Sequence, residues 1–243
     1  MLEAHAPHQS IHSWKDFFIH IATITIGLLM AVGLEQSVEA VHHRSQERLL
    51  DADLTNEAER NRETLQRDIA IEQWLPWFRQ AMNVAAGGAR GAAGLALPPA
   101  PCSPGSVGSA TSRYFAPSEA VWTTAKESGL TALLPAEQAR IYARLGHNNE
   151  LLGFARDRVA AGCDRIVALQ DRLAKLSPDG ASATWFMNDA KAELLAEAAS
   201  DTEVAIRALI FRLRWTLAYE EAILRGVRNV DEMMMVIDQQ KFE

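Results

Sequence analysis

Basic residues are outnumbered in this chain. The sequence has 24 Lys and Arg against 31 Asp and Glu, which gives a formal net charge of −7 at pH 7. A protein that binds nucleic acid needs clustered Lys and Arg side chains to neutralise phosphates, and no basic stripe runs through this sequence. We therefore expect no nucleic-acid partner.

The sequence also lacks the signatures of common catalytic and cofactor sites. It has no Gly-rich phosphate loop with its Lys and no nucleophile elbow. A di-iron bundle needs two Glu-x-x-His pairs, and this chain has one, Glu39 with His42. His5, His8 and His12 have helical spacing, but this spacing is more simply adventitious than a metal site. The expectation is a protein that is not an enzyme, with no catalytic residue, cofactor or metal.

Cysteine is rare as well, and the chain has only Cys102 and Cys163. In an oxidising compartment these two residues can form a disulfide. By the chain-entropy model, the loop that it closes would add about 4 kcal/mol to the stability. In a reducing compartment they remain two thiols, one of them a small core residue. The sequence leaves both alternatives open.

The sequence does contain one long apolar run, Phe17 to Leu34. Its eighteen residues include no Asp, Glu, Lys or Arg. As a helix this run is about 27 Å long, close to the hydrocarbon thickness of about 30 Å. Trp14 lies where an interfacial aromatic residue is common. The alternatives are a cleaved signal peptide and a buried core helix. We predict an uncleaved transmembrane helix at 17–34 after an N-terminal tail at 1–16, because the residues after Leu34 continue a helical pattern.

The orientation of this span is less well determined. Lys15 precedes it, whereas Arg44 and Arg48 follow it, which slightly favours a cytoplasmic C-terminal domain. Long domains, however, translocate largely regardless of charge, and a short tail ahead of an uncleaved anchor usually stays inside. We therefore expect the C-terminal domain to be extracytoplasmic.

Small side chains recur on one side of the predicted span. Thr23, Gly27 and Ala31 are spaced by four residues and form a narrow stripe. In lipid, small residues allow helix backbones to approach closely, and Thr can donate a hydrogen bond across the contact. The stripe predicts a packing face for a homo-oligomer or a partner membrane protein. The alternative is that Thr and Gly are merely tolerated in a single span.

The residues after the span are expected to begin with a long membrane-proximal helix at 35–85, with a kink at Pro76. Asn61 interrupts its apolar face, and the aromatic residues around the proline are expected to pack in the core. A Gly/Ala/Pro-rich loop follows at 86–117, either a connector or a functional loop. The apolar face comprises Leu50, Leu54, Ala58, Leu65 and Ile69.

Residues 118–243 are predicted to form further helices that pack on the 35–85 helix. Ser118 is a good N-cap, Gly129 a good residue after a helix C-terminus, and Pro135 a good first helical residue. A last long helix is expected from about Ala183 to Arg228. The helix after Pro135 has a heptad pattern, with Leu145, Leu152, Val159, Ile166 and Leu173 in one row and Ile141, Asn148, Ala155, Gly162, Leu169 and Leu176 in the other.

These patterns predict an all-α fold in which the transmembrane helix continues into an antiparallel up-and-down bundle. The heptad seam can lie within one chain or form a coiled coil between chains. We favour packing within the chain because the last helix supplies a complementary apolar stripe, made of Ile206, Ile210, Leu213, Leu217, Leu224 and Val227.

Two stretches carry a resemblance. They are WKDFFIHIATITIGLLMAVGLEQSVE at 14–39 and SEAVWTTAKESGLTALLPAEQARIYARL at 118–145, in which Trp122 and Gly129 have the spacing W-x-x-x-x-x-x-G-x-x-x-x-L. Together they resemble a loosely defined group of uncharacterised bacterial single-span, membrane-anchored helical proteins. The resemblance covers about a third of the chain. It implies a single-pass protein of the bacterial inner membrane and carries over no activity and no catalytic residue.

Two functions from different classes are compatible with these features. The first is a non-enzymatic membrane protein whose extracytoplasmic helical bundle serves as a scaffold or accessory subunit. The second is a ligand-sensing module that signals through a partner, because antiparallel bundles on membrane helices also serve as receptor input domains. The sensing hypothesis predicts a pocket between the bundle helices.

Overall fold

The structure is a computed structural model and describes residues 14–87, 94–102, 117–178 and 180–239. These residues are mostly helical, as predicted. The helices are α1 (Trp14–Asp68), α2 (Leu75–Ala86), α3 (Ala120–Glu127), α4 (Ala136–Leu173), α5 (Asp189–Leu224) and α6 (Val230–Gln239). Short 3-10 turns occupy Ile69–Trp74 and Leu130–Leu133, and three short strands are β1 (Leu95–Leu97), β2 (Ala174–Leu176) and β3 (Ala183–Trp185).

The chain divides into two compact units, Met1–Leu49 and Leu50–Glu243. The described part of the first unit is helical and contains the apolar run. Its most apolar window has a mean hydropathy of 2.2, and none of that window is buried. By length and composition this is the one helix among the described residues that could cross a membrane.

The second unit is a helical bundle whose directions follow from its polar contacts. Gln138 donates to the Asp51 carboxylate at 2.6 Å, and Arg156 donates to Asp68 at 3.0 Å. The later residue of α1 thus contacts the later residue of α4, so these two helices are parallel. Glu220 pairs with Asn61, whereas Arg228, later in the chain, pairs with the earlier Asp51. α1 and the C-terminal part of the chain therefore run in opposite directions.

The predicted up-and-down path holds for α4 and α5. These two helices are joined by the short β2–β3 hairpin and pack extensively against each other. It does not hold for α1 and α4, which are parallel. α4 starts beside the part of α1 around Asp51, since Gln138 near the start of α4 bonds to Asp51, and parallel neighbouring helices are a common variation of the bundle architecture.

The first row of the predicted heptad is confirmed, because all five of its residues are buried in α4. The second row extends too far, since Leu176 lies in β2, beyond the end of α4, and is exposed. The seam lies within the chain, against α5. α4 and α5 approach each other closely at Gly162. A Cβ at this position would lie 2.5 Å from Thr202 Oγ1 on α5. The buried Thr202 hydroxyl donates to Ala198 O at 2.6 Å, so it has its own partner within α5.

The predicted single helix at 35–85 is interrupted. α1 ends at Asp68, a 3-10 turn follows, and α2 begins at Leu75. Pro76 lies in the first turn of α2, where its missing N–H is not needed, so the break precedes the proline. The aromatic residues Trp77 and Phe78 are buried, as expected, and Trp77 Nε1 donates to Pro98 O at 2.8 Å.

The short strands were not predicted. They form an antiparallel sheet in the order β1–β3–β2, with β1 inside the predicted 86–117 loop. Ala183 and Trp185 are buried and Thr184 is exposed, the alternation of a strand. The prediction that the last long helix starts near Ala183 is therefore wrong. α5 starts at Asp189, because the Asn188 side chain accepts from Lys191 N at 3.0 Å and caps it.

Three further helix boundaries can be compared with the predictions. Glu119, not Ser118, occupies the N-cap position of α3, because the Ser118 hydroxyl donates to Glu57 Oε1 at 2.7 Å. Gly129 follows α3 with φ of 76°, a left-handed conformation that favours glycine, as predicted for a residue after a helix C-terminus. The last predicted helix also ends early, at Leu224, and α6 follows after Gly226 with φ of 83°.

Cys102 and Cys163 form a disulfide in the structure, with their Cα atoms 5.5 Å apart. It links the segment after β1 to the middle of α4. A hydrogen bond supports the same contact, since Ala100 N donates to Gln170 Oε1 at 2.7 Å. Both Cys side chains are buried in one of the two apolar clusters of the bundle.

Candidate functional site

The predicted membrane packing face lies on α1. Thr23, Gly27 and Ala31 are all exposed, and a Cβ at Gly27 would meet no atom within 4 Å. The Thr23 hydroxyl donates to Ile19 O of its own helix at 2.8 Å. The stripe is thus an open surface of this single chain, with its hydroxyl group already hydrogen-bonded.

The three histidines considered for a metal, His5, His8 and His12, lie outside the described residues. Across the described ranges, no group of three or more His, Cys, Asp and Glu side chains is placed to hold a metal ion. Glu39 lies 3.8 Å from His43, at the exposed surface.

The structure instead assembles a polar cavity between α1, α4, α5 and the start of α3. We call it the acidic cavity. Its volume is about 10 Å³, about the space that one water molecule needs. It is lined by Leu54, Glu57, Ala58, Asn61, Ser118, Glu119, Trp122, Tyr142, Leu145, Gly146, Asn149 and Glu220.

One wall of the acidic cavity is a network that ties α1 to the segment before α3. Asn61 Oδ1 accepts from Ser118 N at 2.7 Å, and Asn61 Nδ2 donates to Ser118 O at 3.0 Å. Glu57 Oε1 accepts from the Ser118 hydroxyl and, at 3.2 Å, from Val121 N. Asn61 and Glu57 are 4% and 5% exposed. Their positions are therefore fixed by backbone groups of a neighbouring segment.

Glu220 on α5 forms the opposite wall and is fully buried. Its Oε1 accepts from Asn61 Nδ2 at 2.9 Å, while its Oε2 has no hydrogen-bond partner among the described residues. Burial raises the pKa of Glu220 from 4.5 to about 8; the Asn61 hydrogen bond opposes this rise, and the nearby carboxylates of Glu57 and Glu119 add to it. Glu220 is therefore mostly protonated at neutral pH.

The remaining polar groups come from α4. Asn149 lines the cavity, and its amide atoms Oδ1 and Nδ2 are buried and have no hydrogen-bond partner in the described part of the chain. The ring of Tyr142 stacks on Trp122, with the centroids 5.6 Å apart. Burial raises the pKa of the Tyr142 hydroxyl well above its usual range, so this group stays neutral. The cavity thus combines carboxyl groups, an amide and aromatic rings.

A second, larger hollow lies between α4 and α5 and has a volume of about 270 Å³. Arg165 and Arg172 line it together with Leu169, Leu194 and Glu197. Arg165 is exposed and pairs with Asp201 at 3.2 Å. This hollow has no buried polar group like Glu220, so its chemistry is less specific than that of the acidic cavity.

The sequence carries a signal for the acidic cavity. Asn61 interrupts the apolar face of α1, and Glu220 falls three residues after Leu217 and four before Leu224 in the apolar stripe of α5. A polar residue at such a position is buried by its neighbours. What the sequence could not supply is the pairing of Asn61 with Glu220, which lie 159 residues apart.

Comparison with known proteins adds no further constraint. No protein family, no curated protein and no solved structure matches this chain.

Proposed function

We propose that this chain is a non-enzymatic, single-span protein of the bacterial inner membrane whose helical bundle serves as a scaffold or accessory subunit. The observation that carries the proposal is the apolar run, none of which is buried in the protein. Such a surface requires lipid or another apolar helix around it. The bilayer is thus one partner, and a second copy or another membrane protein is the other.

We further propose that the bundle faces the periplasm. The Cys102–Cys163 disulfide supports this orientation, because disulfides persist in oxidising compartments and are rare in the cytosol. Thiol blocking in intact cells, followed by mass measurement with and without reduction, tests it. Two free thiols in the native protein would contradict a periplasmic bundle.

A substitution in the transmembrane stripe tests the scaffold proposal. The protein is expected to form a complex in mild detergent, and Gly27→Leu is expected to dissociate it, because the larger side chain keeps two helix backbones apart. A side chain at Gly27 meets nothing in the single chain, so the loss would report a contact between molecules. Size-exclusion chromatography with light scattering measures the mass of the complex.

The matched control is Gly33→Leu. Gly33 also has open space around it, but it lies on another face of the helix, six residues beyond Gly27. We expect this variant to keep the wild-type complex. If Gly27→Leu and Gly33→Leu behave alike, contact through the stripe is wrong.

The acidic cavity favours a second candidate function, a sensing module that responds to a small ligand between the helices. Its support is the buried Glu220 carboxyl, which has an unpartnered oxygen in a polar cavity. A bundle without a ligand would be more stable with an apolar residue there. A ligand-dependent rise in melting temperature tests this function.

A further inference from the structure

We propose that the acidic cavity is a binding site for one monovalent cation of ammonium size. This inference goes beyond the scaffold proposal and deepens the sensing candidate, on which its biological meaning rests. The binding itself does not depend on the membrane anchor, since every residue that lines the cavity belongs to the second compact unit.

The acidic cavity brings three carboxyl groups together. Glu57, Glu119 and Glu220 line one small space, and two of the three are nearly or fully buried. The neighbouring groups from α4, Tyr142 and Asn149, are uncharged. Carboxyl groups held together in a low-dielectric interior repel one another when ionised, and a cation among them offsets the charge that Glu220 gains when it ionises.

Glu220 and Asn149 each bring an unpartnered buried oxygen to residues that line the cavity. Glu220 is 0% exposed, and its Oε2 has no hydrogen-bond partner among the described residues. Asn149 also lines the cavity, and its Oδ1 is a second buried acceptor without a partner in the described part of the chain. An ammonium ion carries four N–H donors, so it can satisfy both oxygens, and each such charge-assisted hydrogen bond is strong.

The size and the lining of the cavity restrict which cation fits. The cavity has room for one water-sized species, which excludes an organic cation in this conformation. Calcium prefers six to eight oxygen ligands, and no metal-binding cluster is formed by the described residues. Trp122 and Tyr142, whose rings stack on each other, also line the cavity, and aromatic rings attract cations. A cavity with few oxygen acceptors and with aromatic lining residues suits an ammonium ion better than a metal ion.

Binding is coupled to the loss of one proton. At neutral pH the Glu220 carboxyl holds its proton, because burial raises its pKa to about 8. When the cation enters, this proton leaves to solvent, and the charge inside the cavity is unchanged by the exchange. Affinity for the cation is therefore expected to rise as the pH rises towards 8 and above.

Thermal unfolding of the full chain in mild detergent tests the proposal, with ammonium chloride as the probe. The references are sodium chloride and tetramethylammonium chloride at equal concentration. At pH 8, ammonium at several times its dissociation constant is expected to raise the melting temperature by about 2–4 °C over both references. The rise is expected to be smaller at pH 6. The same rise with sodium would overturn the assignment to ammonium.

Two variants assign the effect to the cavity. Glu220→Gln keeps the shape and the carbonyl oxygen but cannot become negative, and it is expected to lose the response. Glu221→Gln is the matched control, because Glu221 is the next residue on α5 and pairs outside the cavity with Arg225 at 3.5 Å. A response in Glu220→Gln equal to that of the wild type would contradict the proposal.

Proton release provides a second measurement that needs no variant. In weakly buffered wild-type protein at pH 7.5, saturating ammonium chloride is expected to release about three-quarters of a proton per chain beyond what the same addition releases in buffer alone, because a group of pKa about 8 is protonated to about that extent. Tetramethylammonium chloride is expected to release none. If ammonium chloride causes neither proton release nor a change in melting temperature, the proposed cation site is wrong.

Discussion

At the scale of single residues, the most consequential group is Glu220. It is a carboxyl in an otherwise apolar stripe of α5, fully buried and bonded to Asn61 through one oxygen. Asp68 is a milder case: burial raises its pKa from 3.8 to about 6, although the ion pair with Arg156 opposes the rise. Both groups take up protons on folding, so both make the stability depend on pH.

The sign of this dependence for Glu220 follows from its two pKa values. The folded protein keeps the proton up to about pH 8, whereas the unfolded chain loses it near pH 4.5. The stabilisation from Glu220 is therefore complete below pH 4.5 and is lost as the pH rises through about 8. Between these values, the free energy of unfolding is expected to fall by up to about 1.4 kcal/mol per pH unit.

Glu220→Gln is expected to remove this slope, because glutamine is neutral throughout and still accepts the hydrogen bond from Asn61. Urea unfolding between pH 6.5 and 8 measures the pH slope of the free energy of unfolding. This pH range lies above the two pKa values of Asp68, 3.8 and about 6. Parallel pH profiles for the wild type and the variant would show that Glu220 is not the group responsible.

At the scale of secondary-structure elements, the contact of α4 with α5 has the clearest consequence. Gly162→Ala places a Cβ 2.5 Å from Thr202 Oγ1 and 3.0 Å from its Cγ2. Thr202 is fully buried and bonded within its own helix, so relief requires the helices to move apart. We expect a loss of about 1–3 kcal/mol in the free energy of unfolding, measured by urea denaturation.

Gly153→Ala is the control on the same helix. A Cβ at Gly153 meets nothing within 4 Å, and alanine has the higher helix propensity. The expected effect is neutral, or a gain of up to about 1 kcal/mol. Equal destabilisation by both substitutions would refute a specific close approach at Gly162.

The helices could be predicted from the sequence better than the short strands. The heptad from Leu145 to Leu173 predicted a seam correctly, because helical burial repeats in a long pattern that is local in sequence. The strands were missed because each has only three residues, too few to show an alternation. They form only because β3, at Ala183–Trp185, finds partners on both sides.

The acidic cavity was beyond prediction for a different reason. Asn61, Ser118 and Glu220 meet from distant parts of the chain, and a single sequence does not state which polar positions on apolar faces will pair. The interrupted stripes marked the residues as unusual, but only the packing of α1 against α5 shows that they face each other.

At the scale of the whole molecule, the disulfide is the main covalent constraint. Cys102 and Cys163 are 61 residues apart, and closing a loop of this length is expected to stabilise the fold by about 4 kcal/mol in the chain-entropy model. Cys102→Ser with Cys163→Ser is expected to lose about this amount, because both sites are buried and serine also leaves two hydroxyls in an apolar cluster.

Urea unfolding of the oxidised protein, the reduced protein and the double variant measures this contribution. The reduced wild-type protein is the control that separates the covalent link from the buried hydroxyls. Identical unfolding of the oxidised and reduced forms would contradict a stabilising role for the bond.

The same bond closes residues 102–163 into a covalent ring, and that ring holds several walls of the acidic cavity, among them Trp122, Tyr142 and Asn149. A protease that cuts the chain once inside the ring therefore does not release either piece. The nicked protein would migrate as one molecule without reductant and as two with it. The walls of the cavity would thus stay tethered to one another after such a cut.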